Sequence, residues 1–304
     1  MNWLVTGCSG FVGSNIVDYL IKKNQTVIGL DIVKPIISSN NKFKFVKFDL
    51  TKKKGLKKYV NNADYIINLA ALVSIPYSLK FPKKTKYANV KIFKNILNYV
   101  NPKKTKCIIF ASSSAVYGSG YKNHEKIDIR KFQSAYAESK FLNEIDAKKF
   151  YKKNKITIIG LRYFNLFGPY SKINSRYSSV ITKWIKQIKK KKIINIYGSG
   201  NQTRDFVFVE DVAKINYLLA KIFAKKRVFK IFNIGTEVQT SLNLLLKYIL
   251  SIAKIKKTKI RYHQSIDFGV MNSAAIMTLF KTNLKFKFTT LKKGLKITLQ
   301  LYEI

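Results

Sequence analysis

Three glycines between an apolar strand and a helix constrain this chain more than any other feature. The segment "LVTGCSGFVGSNIVDYL" begins apolar, carries Gly7, Gly10 and Gly13, and continues with helical spacing. Glycines at this spacing permit a tight turn, close backbone approach to a pyrophosphate, and close packing of helix on strand. The helix N-terminus then offers free N–H groups to phosphate oxygens. The segment therefore predicts a dinucleotide-binding turn.

An acidic residue at the end of the second predicted strand indicates which dinucleotide binds. Asp31 closes "TVIGLD", eighteen residues beyond Gly13. A carboxylate there can accept hydrogen bonds from the adenosine ribose hydroxyls, and it repels a 2′-phosphate. We therefore expect NAD rather than NADP as the cofactor. The alternative, a glycine turn in some other α/β protein, does not require this order of strand, loop, helix, strand and acid.

The first half of the chain alternates strand-length apolar runs with helical patterns. The runs are "WLVTG", "TVIGLD", "FKFVKFD", "YIINLAA", "KCIIFASS" and "ITIIGLRYF". Continuous apolar strands alternating with helices are typical of a parallel sheet covered on both faces. We predict an α/β protein with a Rossmann-type doubly wound sheet in residues 1–165. The looser pattern of residues 166–304 predicts a smaller C-terminal α/β substrate domain, with some segments crossing back.

The charge of the chain is extreme but is carried mainly by lysine. The net charge is +43, and six of the 58 basic residues are arginine. Nucleic-acid sites rely on arginine forks, so scattered lysines favour a solvated surface and make nucleic acid an unlikely partner. The two cysteines do not form a disulfide framework or a metal site. No apolar run reaches about 18 residues, so we expect no membrane span. We also expect a cytoplasmic protein with no bound metal.

A serine cluster and a downstream Tyr-x-x-x-Lys pair predict a reaction centre. "CIIFASSS" delivers serines to the carboxyl edge of the sheet, where ligands of parallel sheets bind. In "SAYAESKFLNEID" Tyr136 and Lys140 share one helix face. A lysine ammonium and a cofactor cation near a phenol both favour the phenolate and are expected to lower the pKa of Tyr136, giving a general base. A serine hydroxyl at the same substrate oxygen would orient that oxygen and share its proton.

With these motifs in place, the chain resembles an extended short-chain dehydrogenase/reductase of the nucleotide-sugar epimerase and dehydratase group. The resemblance runs from Asn2 to about Thr240 and includes "NLAALVS", "SSSAVYG", "YAESK", "LRYFNLFGP", "IYGSGNQTRDFVFVEDV" and "FNIG". It implies Ser113, Tyr136 and Lys140 as the catalytic residues. The residues that it implies as NAD contacts are Gly7, Gly10, Phe11, Val12, Gly13, Asp31, Asp49, Leu50, Leu69, Ala70, Ala71, Asn89, Tyr136 and Lys140.

The residues after the catalytic serine bear on the type of reaction. Dehydratases of the family carry an Asp-Glu pair there, whereas this chain has Ser114 and Ala115, which cannot transfer protons as carboxylic acids do. The resemblance therefore implies epimerisation at C4 of a nucleotide sugar through a 4-keto intermediate. The expected substrate is a UDP-hexose or UDP-N-acetylhexosamine. Alternatives are another nucleotide-sugar dehydratase, reductase or uronate epimerase, or a non-catalytic RNA-binding descendant.

The resemblance also implies the substrate contacts and the assembly. Asn165 corresponds to the family's diphosphate ligand, Arg204 to its nucleotide-side arginine, and Ser273 to a small residue that admits N-acetyl groups; Ser114 also faces the sugar. The alternative for Arg204 is a surface salt bridge with Asp205. The C-terminal part departs from the family pattern, because Met271 or a neighbour stands where a second nucleotide-binding arginine is usual. A homodimer is the usual assembly in the family.

Overall fold

A computed structural model describes residues 1–118, 122–123, 132–171, 179–264 and 271–304. Among these residues the chain divides into two compact units. The first comprises Met1–Val116, Ser134–Arg162 and Val212–Phe232, and the second comprises the other described residues. The first unit ends its second segment three residues before the boundary expected at residue 165, and the later segment that returns to it is 212–232.

The first unit is built on seven strands that form one sheet. Numbered in chain order, they are β1 (Asn2–Thr6), β2 (Thr26–Asp31), β3 (Phe43–Lys47), β4 (Tyr65–Asn68), β5 (Cys107–Ser113), β7 (Ile158–Tyr163) and β12 (Phe229–Ile234). Its helices are α1 (Phe11–Lys22), α2 (Lys57–Val60), α3 (Ile75–Lys80), α4 (Pro82–Leu97), α5 (Ala135–Asn154) and α7 (Val209–Ile222).

The sheet is parallel, and its strand order is β12-β7-β5-β4-β1-β2-β3. The chain winds from β1 outward through β2 and β3, then returns to β4 on the other side of β1. Ligands of such sheets bind at the carboxyl ends of the strands where the winding direction reverses. That point lies between β1 and β4, next to the glycine loop, which follows the carboxyl end of β1. The predicted doubly wound sheet is confirmed.

The core of the first unit consists of the apolar residues that the sequence places on strands and on one helix face. Phe93, Ile96 and Leu97 of α4 are buried, as the helical spacing predicts, and Val100 is buried just beyond the helix end. Val90 of the same predicted face is only half-buried. Phe93, Ile96, Leu97 and Val100 pack in one cluster with Ile108 and others from the sheet.

The second unit contains short strands paired two by two. They are β6 (Lys122–Asn123) with β15 (Ala274–Ala275), β8 (Asn165–Phe167) with β11 (Phe206–Phe208), β9 (Ile194–Tyr197) with β14 (Ile260–His263), and β10 (Thr203–Arg204) with β13 (Thr240–Ser241). Its helices are α6 (Val180–Lys189), α8 (Leu242–Ile252), α9 (Thr278–Asn283) and α10 (Leu291–Leu301). Trp184, Phe167 and Phe208 belong to its own apolar core. Among the described helices of both units, none has the length and apolar character needed to cross a bilayer.

Candidate active site

The glycine loop connects β1 to α1, and at two of its glycines there is no space for a side chain. Gly7 has φ +70°, and an added Cβ would lie 2.8 Å from the Ala70 nitrogen. At Gly13 an added Cβ would lie 2.1 Å from the Gly7 carbonyl oxygen. Helix and loop backbones therefore touch, with no space for a methyl group between them. This cradle fits a dinucleotide, whose pyrophosphate needs close approach to the loop backbone.

The helix that follows the loop presents its N-terminal groups without a side-chain cap. Gly10 is the N-cap residue of α1 and supplies no side-chain hydrogen bond. Phe11, Val12 and Gly13 open the first turn, where backbone N–H groups have no partner within the helix. These N–H groups and the helix dipole favour an anion at this end. Phe11, Val12 and Gly13 therefore lie in the first turn of α1, and their predicted contacts with the cofactor stay predictions.

Both cysteines of the first unit are inert groups. Cys8 in the glycine loop is 1% exposed, and burial raises the pKa of its thiol to about 12. Burial also raises the pKa of the Cys107 thiol. Because the thiolate is the reactive form, we expect neither residue to be alkylated by iodoacetamide at about pH 8 while the protein is folded. Mass spectrometry before and after urea unfolding measures this. Modification of the folded protein at Cys8 would show that the loop opens.

Asp31 is anchored beside the glycine loop. Its carboxylate accepts the Ser9 N–H at 3.0 Å and the Val33 N–H at 3.1 Å. Each oxygen retains lone-pair capacity for a further donor. The side chain is half-buried at the end of β2 and held by backbone groups on both sides. This geometry suits a carboxylate that must hold two vicinal hydroxyls in place.

Asp49 and Leu50 lie after β3. The Asp49 carboxylate accepts the hydroxyl and the N–H of Thr51, at 2.7 and 2.9 Å, and these hydrogen bonds lower its pKa. Leu50 is 4% exposed, and its carbonyl accepts the side-chain amide of Asn95 from α4. The loop that carries both residues is therefore fixed, while Asp49 itself stays exposed. Their predicted contacts with adenine stay predictions.

The segment after β4 borders the glycine loop and is tied to two helices through Asn89. Leu69, Ala70 and Ala71 follow β4, and the first two lie against Gly7. Asn89 on α4 accepts the Leu72 N–H at 2.7 Å and donates to the Leu72 carbonyl at 3.1 Å. It also donates to Ser139 Oγ on α5 at 2.9 Å. The amide of Asn89 thus positions this loop; its predicted contact with the cofactor stays a prediction.

The predicted catalytic residues come together at the end of β5 and the start of α5. The hydroxyls of Ser113 and Tyr136 are hydrogen-bonded to each other. Lys140 Nζ lies 5.7 Å from the centroid of the Tyr136 ring and donates to the Ala111 carbonyl at 2.9 Å. Helix α5 begins here because Ser134 caps it by accepting the Ala137 N–H at 3.2 Å. A hydroxyl, a phenol and an ammonium therefore share one site.

In the protein without its cofactor, burial shifts the pKa of both titratable groups. Burial raises the pKa of the Tyr136 phenol, and the hydrogen bond with Ser113 opposes that rise only in part. Burial also lowers the pKa of Lys140 to about 8. The sequence prediction counted the charges of Lys140 and of the bound cofactor and omitted the cost of removing water from the phenolate, so the lowering that it expects in the NAD-bound protein stays a prediction.

A buried ion pair behind the catalytic residues was not predicted. Glu144 of α5 accepts Nε of Arg162 at 2.8 Å and Nη2 at 2.7 Å, and it also accepts the Ser112 hydroxyl at 2.6 Å. The Glu144 and Arg162 side chains are 7% and 6% exposed. The three residues belong to α5, β7 and β5, so the pair ties together the elements that carry Ser113, Tyr136 and Lys140. The sequence signals this ion pair only by a glutamate one helical turn after Lys140, and that spacing does not identify the partner of the glutamate.

Ser114 begins a short 3₁₀ turn, Ser114–Tyr117, at the end of β5. The Ala115 N–H donates to Ser113 Oγ at 3.1 Å. Tyr117, at the end of the turn, donates its hydroxyl to Asn233 Oδ1 at 2.7 Å. Ser114 is half-buried and directly follows the catalytic serine. Its contact with a sugar stays a prediction.

In the second unit, the segments of Arg204 and Ser273 are adjacent. The Thr203 N–H donates to the Met271 carbonyl at 2.9 Å, and the Thr203 hydroxyl donates to Asn272 Oδ1 at 2.8 Å. Arg204 is half-buried and donates to the Thr203 carbonyl at 2.8 Å. Ser273 is 8% exposed, whereas Met271 is 59% exposed. The Met271 side chain is therefore exposed, in a segment whose backbone is bonded to the residue before Arg204.

The residue after Arg204 is a structural acid. Asp205 is 0% exposed and accepts hydrogen bonds from the Thr236 N–H and hydroxyl, the Glu237 N–H and the Ala275 N–H, at 2.6 to 3.1 Å. Burial raises the pKa of the Asp205 carboxyl, and these hydrogen bonds oppose the rise only in part. The alternative of a surface salt bridge between Arg204 and Asp205 is therefore wrong, since Asp205 does not reach the surface.

Asn165 opens β8, which pairs in parallel with β11. Its N–H and its side-chain amide both donate to the Asp205 carbonyl, at 3.0 and 3.2 Å. The side-chain oxygen retains its acceptor capacity. Asn165 thus belongs to the same hydrogen-bonded framework as Arg204.

Comparison with known proteins shows which family and which solved structures this chain is similar to. Residues 3–235 match the model of the NAD dependent epimerase/dehydratase family. A putative UDP-glucose 4-epimerase of Methanocaldococcus jannaschii is 35% identical over 81% of this chain and 80% of its own length. A UDP-glucose 4-epimerase of Thermotoga maritima, solved with UDP-glucose, is 25% identical with a TM-score of 0.88 over 100% of this chain and 99% of that one.

A second solved structure is also similar over its whole length. It is the UDP-N-acetylglucosamine 4-epimerase of Methanobrevibacter ruminantium in complex with UDP-N-acetylmuramic acid. It is 29% identical, with a TM-score of 0.87 over 99% of this chain and 98% of that one.

Proposed function

The chain belongs to the NAD-dependent epimerase/dehydratase family, and from that premise we propose that it interconverts nucleotide sugars that differ in configuration at C4. NAD is its cofactor. The proposed substrate is a UDP-hexose or a UDP-N-acetylhexosamine, and the proposed intermediate is the 4-keto sugar. The relatives that act on UDP-glucose and UDP-N-acetylglucosamine support this choice.

The observation that carries the proposal is the shared site of Ser113, Tyr136 and Lys140. A Tyr136 phenolate can take the proton of a substrate hydroxyl, and the phenol can later return it. Ser113, already bonded to that phenol, is placed to hold the same hydroxyl oxygen. The nearby Lys140 ammonium favours the phenolate against the effect of burial.

The glycine loop and Asp31 are the residues that would hold NAD. When bound, NAD supplies a reversible hydride acceptor and a positive charge. The loop N–H groups of α1 would carry its pyrophosphate, and Asp31 its adenosine ribose. Tyr136 and Lys140 would then meet the reacting end.

Ser114 and Ala115 support epimerisation rather than elimination. Loss of water from a keto sugar needs a further acid and base, which dehydratases of the family place in these two positions. A serine and an alanine do not supply them. Oxidation followed by reduction on the other face needs, beyond the hydride that NAD would accept and return, only the proton transfer at one hydroxyl, which Tyr136 can perform.

The nucleotide end of the substrate is assigned to the second unit. We propose that Arg204 forms a charge-assisted contact with phosphate or ribose, that Asn165 contacts the diphosphate, and that buried Ser273 leaves room for an N-acetyl group. The framework around Asp205 holds Asn165 and Arg204 in place. A homodimer and a cytoplasmic location stay predictions.

The test is product analysis with purified protein. We expect UDP-glucose or UDP-N-acetylglucosamine to be converted into its C4 epimer until an equilibrium mixture forms. Nuclear magnetic resonance identifies the products, and absorbance of NADH follows the redox balance. Steady accumulation of NADH would indicate net oxidation, and loss of water from the sugar would indicate a dehydratase. Either result would contradict the proposal.

A further inference from the structure

We propose that Glu144 and Arg162 form a charge-balancing pair that positions the catalytic group and keeps the net charge behind Tyr136 and Lys140 at zero. The inference rests on the proposed function, in which Tyr136 transfers a proton. Both residues are positioning residues, since they act through Ser112, Lys140 and Tyr136.

The hydrogen bonds place this pair directly behind the catalytic residues. Lys140 Nζ donates to the Ala111 carbonyl, and the next residue, Ser112, donates its hydroxyl to Glu144. Glu144 stands one helical turn after Lys140, so their side chains are neighbours on α5. The two-pronged contact with Arg162 fixes the carboxylate in orientation as well as in charge.

Among the described residues of α5, the other charged groups are half-buried or exposed, and those that form ion pairs do so with exposed lysines. On α5, Glu138 pairs with Lys86 of α4 at 3.0 Å, and Asp146 lies 3.8 Å from Lys94 of α4; the lysines of both pairs are exposed. Strand β5, Cys107–Ser113, contains no charged residue, and β7, Ile158–Tyr163, contains only Arg162. Among the described residues of α5, β5 and β7, the buried charged side chains are therefore those of Glu144, Arg162 and Lys140.

If one member is removed, a charge-balancing pair and a merely structural pair should affect the titration of Tyr136 differently. In Glu144→Gln the guanidinium of Arg162 stays charged and unbalanced. A buried positive charge favours the phenolate of Tyr136 and the neutral amine of Lys140. In Arg162→Met the carboxylate of Glu144 stays unbalanced and favours the phenol and the ammonium. The two single variants therefore shift proton release in opposite directions.

The experiment titrates Tyr136 in the NAD-loaded full chain. The phenolate absorbance is recorded against pH, and the curve of the same protein with Tyr136→Phe is subtracted. The difference is the titration of Tyr136 without that of the other tyrosines. We expect Glu144→Gln to move the titration to lower pH and Arg162→Met to move it to higher pH, each by about half a pH unit or more. The double variant Glu144→Gln/Arg162→Met restores neutrality and is expected to titrate like the unchanged protein.

The control is Glu138→Gln, which removes the carboxylate of an exposed ion pair on the same helix. Solvent screens that pair, so the Tyr136 titration should not move. Urea unfolding is measured for every variant. If Glu144→Gln does not fold, comparison of Arg162→Met with the double variant still decides the question, since a neutral replacement of a buried pair is often tolerated.

Shifts of the same sign in both single variants, or no shift in either, would overturn the proposal. The phenol titration requires no sugar substrate. Opposite shifts in a protein that epimerises no nucleotide sugar would therefore support the charge-balancing pair and reject the proposed function. Where turnover is measurable, the rising limb of kcat against pH should move with the phenol titration.

Discussion

Replacing Tyr136 with phenylalanine is expected to lower kcat by about 10² or more, the usual loss when a general acid–base group is removed. The change deletes one oxygen and leaves the ring, so the packing of α5 should persist. Ser113 loses its hydrogen-bond partner, and the substrate hydroxyl loses its proton acceptor. Because the ring still contacts Lys140, the main effect should fall on kcat rather than on KM.

The matched control for this experiment is Tyr151→Phe on the same helix. Tyr151 donates its hydroxyl to the Arg227 carbonyl at 2.8 Å, away from the catalytic serine. The same atom is deleted from the same residue type, so kcat should change less than about twofold while stability falls by roughly 1 kcal/mol. Full activity in Tyr136→Phe, measured by product formation, would remove Tyr136 from the mechanism.

The sheet was predictable because each strand carries its own signal. Strands buried on both faces must be apolar along their whole length, and "CIIFASS" and "IIGLRY" occur in the structure as β5 and β7. The glycine loop was predictable for a similar reason. Gly10 and Gly13 meet steric requirements set within the loop itself, since an added Cβ would meet Gly7 or Cys8, and Gly7 adopts a positive φ that favours glycine.

The buried ion pair was not predictable from spacing. Glu144 and Arg162 lie eighteen residues apart on a helix and a strand, and their contact depends on how α5 packs against the sheet. Helix α5 also conceals its buried face, because Ser139, Lys140, Asn143 and Glu144 are buried there in place of apolar residues. Hydrophobic periodicity, which located α4, therefore cannot show which side of α5 faces inward.

The protonation of Tyr136 was not predictable because desolvation depends on depth. The sequence shows that a lysine is close to the phenol, which favours the phenolate. It does not show how far both groups are removed from water, and burial works against the charged form of each. The positions of the short paired strands of the second unit could not be predicted for a simpler reason, since strands of two to four residues carry too little periodicity to locate.

Replacing Gly13 with alanine is expected to lower the free energy of unfolding by roughly 1–3 kcal/mol or more and to weaken NAD binding at least about tenfold. Helix propensity alone favours alanine inside α1 by about 1 kcal/mol. Packing should outweigh it, because the new Cβ would lie 2.1 Å from the Gly7 carbonyl oxygen and 2.8 Å from Cys8 Cα. Both are backbone atoms, so the clash is relieved only if α1 moves away from the loop that we propose to carry the pyrophosphate of NAD.

The position of the clash gives this prediction its control. At Gly10 an added Cβ meets only the Gly7 oxygen, at 3.2 Å, which a small adjustment can accommodate. Gly10→Ala should therefore cost clearly less stability than Gly13→Ala, although both lie in the same loop motif. Urea unfolding and the NAD content of the purified proteins measure the two effects. Equal stability of Gly13→Ala and the unchanged protein would mean that α1 and the glycine loop are not in contact, and the cofactor site would lose its structural basis.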